Sequence, residues 1–283
     1  MRDTRDMLLV LLSSLLMLTG CSRRDILDDY PVSGVEISLD WNGVTNKLPE
    51  GVRVIFYPKN AEGRKIDTYL SVKGGKVKVP PGRYSVVVYN YDTETVQIRG
   101  EEAYETIEAF TGHCNGLGIA GTEQLVWGPD PLYVVRIDDL KIENSEEELQ
   151  LNWKPKLVVK TYSFKLKVQG LEYVSSIVGS IEGMSSCYDL GLGCGKAGDS
   201  PIYFAARGSA GEVTGSFTVF GTSEGVISRA GNAIKLTLAF VKTDNKVQKM
   251  EVDITEVIAN SESGGSGGDD DGDEPFKEIE LPV

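Results

Sequence analysis

The sequence predicts an all-β protein built from β-sandwiches. Short runs in which apolar and polar residues alternate recur along the chain, and this period of two is typical of half-buried strands. Turn-forming residues separate the runs, with 32 glycines and 11 prolines among 283 residues, as expected for strands joined by tight turns. Long amphipathic helical patterns are scarce. Beyond the N-terminus, no apolar run reaches the roughly 20 residues of a membrane-spanning helix.

The N-terminus predicts a signal peptide followed by a lipid-attachment site. Two arginines precede an apolar run of 12 residues from Met7 to Leu18, which is too short to cross a membrane but fits the core of a signal peptide. The four residues Leu18-Thr19-Gly20-Cys21 resemble the lipobox of bacterial lipoproteins. That resemblance implies removal of residues 1–20 and acylation of Cys21, and two or more acyl chains hold a protein on a membrane. This covalent lipid is the only prosthetic group that we predict.

Residues 21–31 are predicted to form a polar tether between the lipid and the folded protein. In many lipoproteins an Asp directly after the lipidated Cys signals retention in the inner membrane, whereas Ser22 permits export to the outer membrane. Asp25, Asp28 and Asp29 resemble an acidic surface-export signal, and a plain solvated linker explains them equally well. The expected location is the outer membrane, lipid-anchored and exposed on the cell surface.

The chain is acidic, with 42 Asp and Glu against 29 Lys and Arg and a net charge of −13. Such a charge argues against binding to nucleic acid and against electrostatic docking onto anionic lipid. Nucleic acid is therefore not an expected partner, and attachment to a membrane is expected to depend on Cys21.

The strand patterns divide the chain into two sandwich domains, at residues 32–154 and 155–260. The first strand shows strict alternation, with its apolar residues from Val35 to Trp41 on one face. Lys154-Pro155 is a natural boundary because proline cannot donate a hydrogen bond inside a β-ladder. Further strands are predicted at residues 52–58, 65–70, 76–79, 85–90, 132–137, 149–153, 156–168, 202–207, 212–220, 233–243 and 246–254.

The C-terminal segment is predicted to be a linker followed by one more strand. Residues 261–275 are rich in Gly, Ser and Asp, a composition typical of flexible linkers. The acidic run from Asp269 to Glu274 lacks the bidentate Glu and the flanking helices of an EF-hand loop, so a linker is favoured over a calcium site. Residues 276–283 form a terminal strand that either folds back onto a sandwich or pairs with the sheet edge of a neighbouring molecule.

Three cysteines follow Cys21 in the sequence. Cys187 and Cys194 bracket a short glycine-containing loop, and a disulfide between them is plausible in an oxidising compartment. Cys114 is then expected to be free and buried. Two free thiols, or a pairing with Cys114, are alternatives that the sequence leaves open.

The sequence predicts no catalytic residue and no metal ligand. His113 precedes Cys114, but neighbouring side chains of an extended chain point to opposite sides, and no CxxC or HxxxH spacing supports zinc. Trp127 is the tryptophan that we expect to be exposed, and it is a candidate glycan contact. Trp41 and Trp153 are in phase with apolar strand faces, which favours a place in the core.

Six short motifs follow the lipobox along the chain. They are Val52–Pro58, Val79–Tyr84, Tyr89-Asn90, Ile181–Met184, Gly215–Gly221 and Val252–Thr255. Their order resembles a family of Bacteroides outer-membrane lipoproteins that is similar to the fimbrillins and the anchor subunits of type V pili. The resemblance implies two tandem transthyretin-like sandwiches and a lipid-anchored structural or adhesion role. It also implies fimbrial subunits as partners, bound by strand complementation.

The positions of the arginines distinguish a cleaved stalk subunit from an uncleaved anchor within that family. Its polymerising pilins lose their first strand to an arginine-specific protease, and a strand of the neighbouring subunit fills the groove. Here no Arg occurs between Trp41 and Val52, and Arg53 lies inside a predicted strand. We therefore expect an uncleaved anchor, accessory subunit or stand-alone surface protein rather than a stalk subunit. The alternative is a glycan-binding surface lipoprotein of a nutrient-uptake system that uses Trp127. No enzymatic activity is expected.

Overall fold

The computed structural model of the chain describes residues 33–60, 63–114, 124–145, 147–196, 200–221, 233–263 and 276–280. These residues form twenty strands, one α-helix and one short 3-10 helix, which confirms the all-β prediction. The predicted signal peptide, Cys21 and the tether lie outside the described residues, as does the linker from residue 264 to 275. No helix in the described part of the chain is long and apolar enough to span a membrane.

The elements follow one another with short connections in most of the chain. The strands are β1 (Ser33–Leu39), β2 (Gly51–Pro58), β3 (Ile66–Ser71), β4 (Gly74–Val79), β5 (Gly82–Asn90), β6 (Val96–Arg99), β7 (Glu108–Thr111), β8 (Val126–Trp127), β9 (Tyr133–Ile142), β10 (Leu149–Trp153), β11 (Lys156–Leu157), β12 (Lys160–Lys167), β13 (Val174–Glu182), β14 (Cys187–Asp189), β15 (Cys194–Lys196), β16 (Ile202–Ser209), β17 (Glu212–Val219), β18 (Lys235–Lys242), β19 (Val247–Asp253) and β20 (Phe276–Glu280). The α-helix is α1 (Thr255–Ser263), and the 3-10 helix covers Leu171–Tyr173.

The first eight-stranded sheet, which we call the N-terminal sheet, has the order β10-β1-β4-β3-β2-β5-β9-β11. Only Lys154 and Pro155 separate its two outermost strands in the chain, so the sheet curls until its ends approach each other. Its inner face encloses one apolar core, to which β1 contributes Val35, Ile37 and Leu39. These three side chains are at most 8% exposed, as the alternation predicted.

Tyr84 makes two contacts at the corner where the chain enters β5. The hydroxyl of Tyr84 donates a hydrogen bond to the carbonyl of Pro80 at 2.9 Å. Its ring packs edge-to-face against Phe56, with ring centroids 6.0 Å apart. The corner is thereby fixed to the core by one polar and one apolar contact.

A four-stranded sheet with the order β15-β14-β7-β6 covers the opposite face of the N-terminal sheet. We call it the bridging sheet, because β6 and β7 come from the first half of the chain and β14 and β15 from the second. The outward side chains of β2, β5 and β9 pack beneath it in a second core. Members of this core include Ile55, Tyr57, Val87, Tyr89, Ile107, Ala109, Val134 and Leu190.

The remaining strands form the C-terminal sheet, with the order β19-β18-β13-β16-β17-β12-β20. It encloses a third apolar core. The terminal strand β20 pairs in parallel with β12, from Thr161 opposite Phe276 to Lys165 opposite Glu280. The structure therefore places the predicted C-terminal strand on the edge of the chain's own C-terminal sheet.

Helix α1 was missed by the sequence analysis, which placed a flexible linker from residue 261. The backbone N–H of Thr255 donates to the Asp253 carboxylate at 2.9 Å, next to the start of the helix. Ile254 and Ile258 lie one helical turn apart and are at most 1% exposed in the C-terminal core. One buried turn with polar residues on both sides gives too short a periodic pattern to recognise as a helix.

Strands cross the predicted division at residues 154/155 in both directions. β8, from the first half, pairs in parallel with β16 of the C-terminal sheet. β11, from the second half, pairs with β9 of the N-terminal sheet. Together with β14 in the bridging sheet, these pairings interlace the two halves.

Candidate functional site

Strand β1 is hydrogen-bonded along both of its edges. It runs parallel to β10, from Val35 opposite Leu149 to Leu39 opposite Trp153. On its other edge it runs antiparallel to β4. The connection from residue 40 to residue 50 contains no Arg. Because β1 occupies this place, its groove in the N-terminal sheet is filled by the chain itself.

Arg53, the first arginine after β1, is held in the middle of the sheet. β2 pairs with β3 on one side and β5 on the other. The guanidinium donates to both carboxylate oxygens of Asp67, at 2.9 and 2.7 Å. It also pairs with Glu101 and donates to the Tyr89 hydroxyl at 2.8 Å. The hydrogen bonds to Asp67, opposed by burial and reinforced by Glu101, raise the pKa of Arg53.

The bridging sheet joins the two halves through paired strands and through buried charge. Asp189 of β14 lies opposite Glu108 of β7. Lys196 of β15 places its Nζ 2.6 Å from Glu108 Oε2 and 3.1 Å from Asp189 Oδ2. Arg99 of β6 also pairs with Glu108. The side chains of Glu108 and Asp189 are only 11% and 2% exposed, whereas those of Arg99 and Lys196 are 58% and 42% exposed, so buried carboxylates pair with cations that reach the surface.

The pKa values in this cluster agree with a structural ion-pair network. Burial raises the pKa of Glu108, but hydrogen bonds from Lys196 and Arg99 outweigh burial and lower it below its ordinary value. The hydrogen bond to Glu108, opposed by burial and supported by Asp189, raises the pKa of Lys196. Both shifts favour the charged forms. Glu108 and Lys196 therefore stay ionised at neutral pH. We call Arg99, Glu108, Asp189 and Lys196 the bridging network.

The predicted disulfide is not formed between Cys187 and Cys194, and both thiols are free. In the hairpin Cys187 lies opposite Lys196 and Cys194 lies opposite Asp189, so the cysteines are diagonal neighbours. Diagonal neighbours are about 7–8 Å apart, whereas a disulfide spans Cα separations up to about 6.8 Å. A bridge would require the hairpin to shift its register. Cys114 is free and buried, as expected.

The other residues singled out in the sequence lie apart from one another. His113 is exposed and Cys114 is buried, so the two side chains point in different directions, as the extended backbone predicted. Trp127 is 37% exposed and packs edge-to-face on Tyr203, with ring centroids 5.4 Å apart. Trp153 is buried, whereas the half-buried Trp41 donates its indole N–H to the carbonyl of Val72 at 2.6 Å. Among the described residues, no three His, Cys, Asp or Glu side chains are placed to hold a metal ion.

The sequence analysis missed both ion-pair clusters. Glu108 and Asp189 are 81 positions apart, and no local pattern links them. The pairing of Arg53 with Asp67 joins neighbouring strands, so an alignment of opposite charges across a predicted hairpin could have indicated it.

Comparison with known proteins gives the family. Residues 20–205 match the family described as Domain of unknown function (DUF5119). The chain belongs to this family. A relative from Bacteroides ovatus, provisionally named fimbrium anchoring subunit Fim4B, is 61% identical over 294 residues, covering 100% of this chain and 88% of the relative.

Two solved structures share the fold of this DUF5119 chain. A Bacteroides ovatus protein provisionally described as an adhesin superposes with a TM-score of 0.78 at 57% identity, covering 93% of this chain and 94% of that one. The fimbrial anchor protein Mfa2 of Porphyromonas gingivalis superposes with a TM-score of 0.55 at 12% identity, covering 88% of this chain and 90% of that one. At such low identity the second match concerns the fold alone.

Proposed function

We propose that this DUF5119 protein is a lipid-anchored cell-surface subunit that anchors a fimbria or serves as its accessory subunit, without enzymatic activity. The observation that carries the proposal is the 61% identity, along the whole chain, with a relative provisionally named as a fimbrium anchoring subunit. The proposal includes a signal peptide at residues 1–20, a lipid on Cys21 and an outer-membrane location. It also includes two transthyretin-like sandwiches as the folded body.

The arrangement of β1 supports an anchor rather than a stalk subunit. A subunit that receives a neighbour's strand needs a free sheet edge, since main-chain pairing provides the affinity of strand addition. Here β4 and β10 are both paired to β1. The connection after β1 offers no Arg for an arginine-specific protease. The exposed Arg64 lies beyond β2, so cleavage there would leave β1 covalently joined to β2, which stays paired with β3 and β5.

The interlaced halves also support an anchoring role. A protein that holds a fibre at a membrane carries load from its lipid to its partner. Strand exchange at β8 and β11 and the bridging network prevent the halves from separating without breaking hydrogen bonds and ion pairs. A single flexible linker between two independent sandwiches would offer no such resistance.

Crosslinking on intact cells tests the proposed partner. The full-length protein is crosslinked in fimbriated cells, purified, and its partners are identified by mass spectrometry. Fimbrial subunits should be enriched with the natural protein and depleted with Cys21→Ser, which lacks the lipidated thiol. Recovery of monomer alone, with fimbriae present on the cells, would contradict the proposal.

A second candidate function, glycan binding at the cell surface, is favoured by the exposure of Trp127. Its ring is held on Tyr203, and exposed aromatic rings are a common feature of binding sites for polar ligands with apolar faces. Affinity electrophoresis in polysaccharide gels distinguishes the two functions. Retardation that is lost in Trp127→Ala, but kept in Tyr173→Ala at another exposed aromatic residue, would favour glycan binding over fimbrial anchoring.

A further inference from the structure

Two exposed tyrosines form a contiguous aromatic surface on the N-terminal sheet. Tyr69 is 61% exposed and Tyr91 is 44% exposed. Their rings meet edge-to-face with centroids 5.3 Å apart. We call this pair the tyrosine platform. Aromatic residues, tyrosine among them, are enriched in protein interfaces relative to the rest of the protein surface.

The platform lies where the bridging sheet does not cover the N-terminal sheet. The outward side chains of β2, β5 and β9 are buried beneath the bridging sheet. By contrast, the outward residues of β3, which are Asp67, Tyr69 and Ser71, are exposed. The covered and uncovered strands are neighbours in one sheet. The exposed outward face of β3 therefore continues the face of the N-terminal sheet that packs against the bridging sheet.

The platform is rigid because it is built on the Arg53 cluster. Arg53 lies directly opposite Tyr69 on one side and Tyr89 on the other. Its guanidinium carbon is 5.5 Å from the centroid of the Tyr69 ring. Asp67 and Glu101 hold that guanidinium in place. Pre-ordered side chains lose little entropy on binding, which favours affinity.

Gly51 positions the second ring. A Cβ at this glycine would lie 2.7 Å from the hydroxyl oxygen of Tyr91 and 2.7 Å from the carbonyl oxygen of Leu70. No other residue leaves room for Tyr91 to lie across the start of β2. The position of the Tyr91 ring thus depends on the sequence of a neighbouring strand.

The charge around the platform is negative. Three carboxylates and two cations lie around it. Asp67 and Glu101 contact Arg53 beside Tyr69, Lys65 lies near Asp67, and Asp92 directly follows Tyr91 and accepts from the backbone N–H of Glu50. The Arg53 guanidinium already packs against the Tyr69 ring, with the carboxylates of Asp67 and Glu101 on either side of it. A cation over a tyrosine ring is attracted by the negative face of the ring.

We propose that the tyrosine platform binds a protein partner through an exposed arginine or lysine side chain that stacks on Tyr69 and Tyr91. Charge complementarity selects this occupant. A second copy of this chain, with a net charge of −13, would be repelled, whereas a basic loop is attracted. The inference rests on the proposed function only in that the partner is expected to be a fimbrial subunit.

Site-specific photocrosslinking on cells tests the platform. The probe is p-benzoylphenylalanine placed at Tyr69 in the full-length lipoprotein, and crosslinked peptides are identified by mass spectrometry. We expect a peptide of a partner protein that contains Arg or Lys within the crosslinked segment. The yield should fall about tenfold or more with Tyr91→Ala, as expected for an interface anchor, and remain with Tyr91→Phe. The same probe at Tyr173, which is 63% exposed elsewhere, is the control and should not give this product.

Each other outcome overturns the platform. These outcomes are the absence of a crosslink, a peptide without a basic residue, an equal yield at Tyr173, or a glycan adduct in place of a peptide. Failure of the platform is distinguishable from failure of the proposed function. If fimbrial subunits still copurify with a Tyr69→Ala/Tyr91→Ala protein at the natural level, the platform is wrong and the anchor role stands. If the basic peptide comes from a protein unrelated to fimbriae, the platform stands and the anchor role is wrong.

Discussion

Glu108 is the residue through which charge holds the two halves of this protein together. Its carboxylate accepts from Lys196 and pairs with Arg99, and its pKa is lowered. A carboxyl group with a lowered folded pKa stabilises the protein above its unfolded pKa, near 4.3. That contribution is lost as the pH falls through the folded pKa. The network should therefore stabilise the protein at neutral pH and cease to do so in acid.

Replacing Glu108 by Gln tests this pH dependence. At pH 7 the free energy of unfolding of the variant should be about 1–3 kcal/mol lower than that of the natural protein. Hydrogen bonds to a charged group are lost, and Lys196 loses a partner. Between pH 5 and pH 3 the difference from the natural protein should shrink. Urea unfolding followed by tryptophan fluorescence measures both. Glu143→Gln is the matched control, because Glu143 and Lys141 are each 70% exposed, and it should change the unfolding midpoint little at any pH. A constant difference across the pH range would contradict the assignment.

The free thiols of Cys187 and Cys194 give a second prediction at the same scale. Their diagonal register prevents a disulfide without a shift of the hairpin, and burial raises the pKa of Cys187, which slows its oxidation. Protein isolated from the bacterial surface, denatured without reductant and alkylated, should carry the alkyl group on both cysteines. A non-reduced peptide that links Cys187 to Cys194, or either to Cys114, would show that the hairpin register is wrong.

Among the elements, β1 is the one on which the choice between anchor and stalk subunit depends. An arginine-specific endoprotease should leave β1 attached to the folded protein, because Arg53 is paired on both sides and its side chain is only 17% exposed. The exposed Arg64 is the expected first cut. Mass spectrometry of the products after gel filtration locates the cuts. The control variant Lys47→Arg places an arginine at an exposed position between β1 and β2, and it should be cut there. Cleavage of the natural chain between β1 and β2 would contradict the account.

The terminal strand β20 protects the edge of the C-terminal sheet. Deleting residues 276–283 should expose the edge of β12 that pairs with β20. We expect faster amide exchange at Thr161 to Lys165 and some self-association, because an open strand edge pairs readily with other chains. Hydrogen exchange and light scattering measure these effects. Deleting only residues 281–283 is the control. Unchanged exchange after the larger deletion would show that β20 does not pair with β12 in solution.

The strands differ in how well the sequence predicts them. β1, β2 and β5 carry local alternation or continuous apolar runs between turns, so the sequence places their ends to within three residues. By sequence, residues 103–110 fit either a strand or a short helix, and the structure forms β7 at Glu108–Thr111. Its partner β14 lies in a glycine-rich stretch that reads as a loop. β7 and β14 are strands because they pair with each other in the bridging sheet. A pairing between distant segments cannot be predicted from the local sequence of either one.

For the whole molecule, strand pairings interlace the parts of the chain before and after residues 154/155. The prediction divided the chain at residues 154/155, where a proline interrupts the strand pattern. In the structure that proline joins β10 to β11 at the two ends of the curled N-terminal sheet. β8, which comes before the proline in the chain, pairs with β16 of the C-terminal sheet. Proline therefore marked a turn within a fold, and only the pairing of distant strands shows how the halves connect.

The proposed anchor role requires two features, a lipid on Cys21 and a first strand that stays in the mature chain. Top-down mass spectrometry of the mature protein from fimbriated cells tests both features in one measurement. The account predicts an intact chain that begins at acylated Cys21 and contains β1. A mature chain that begins after β1, or one that carries no lipid on Cys21, would contradict it.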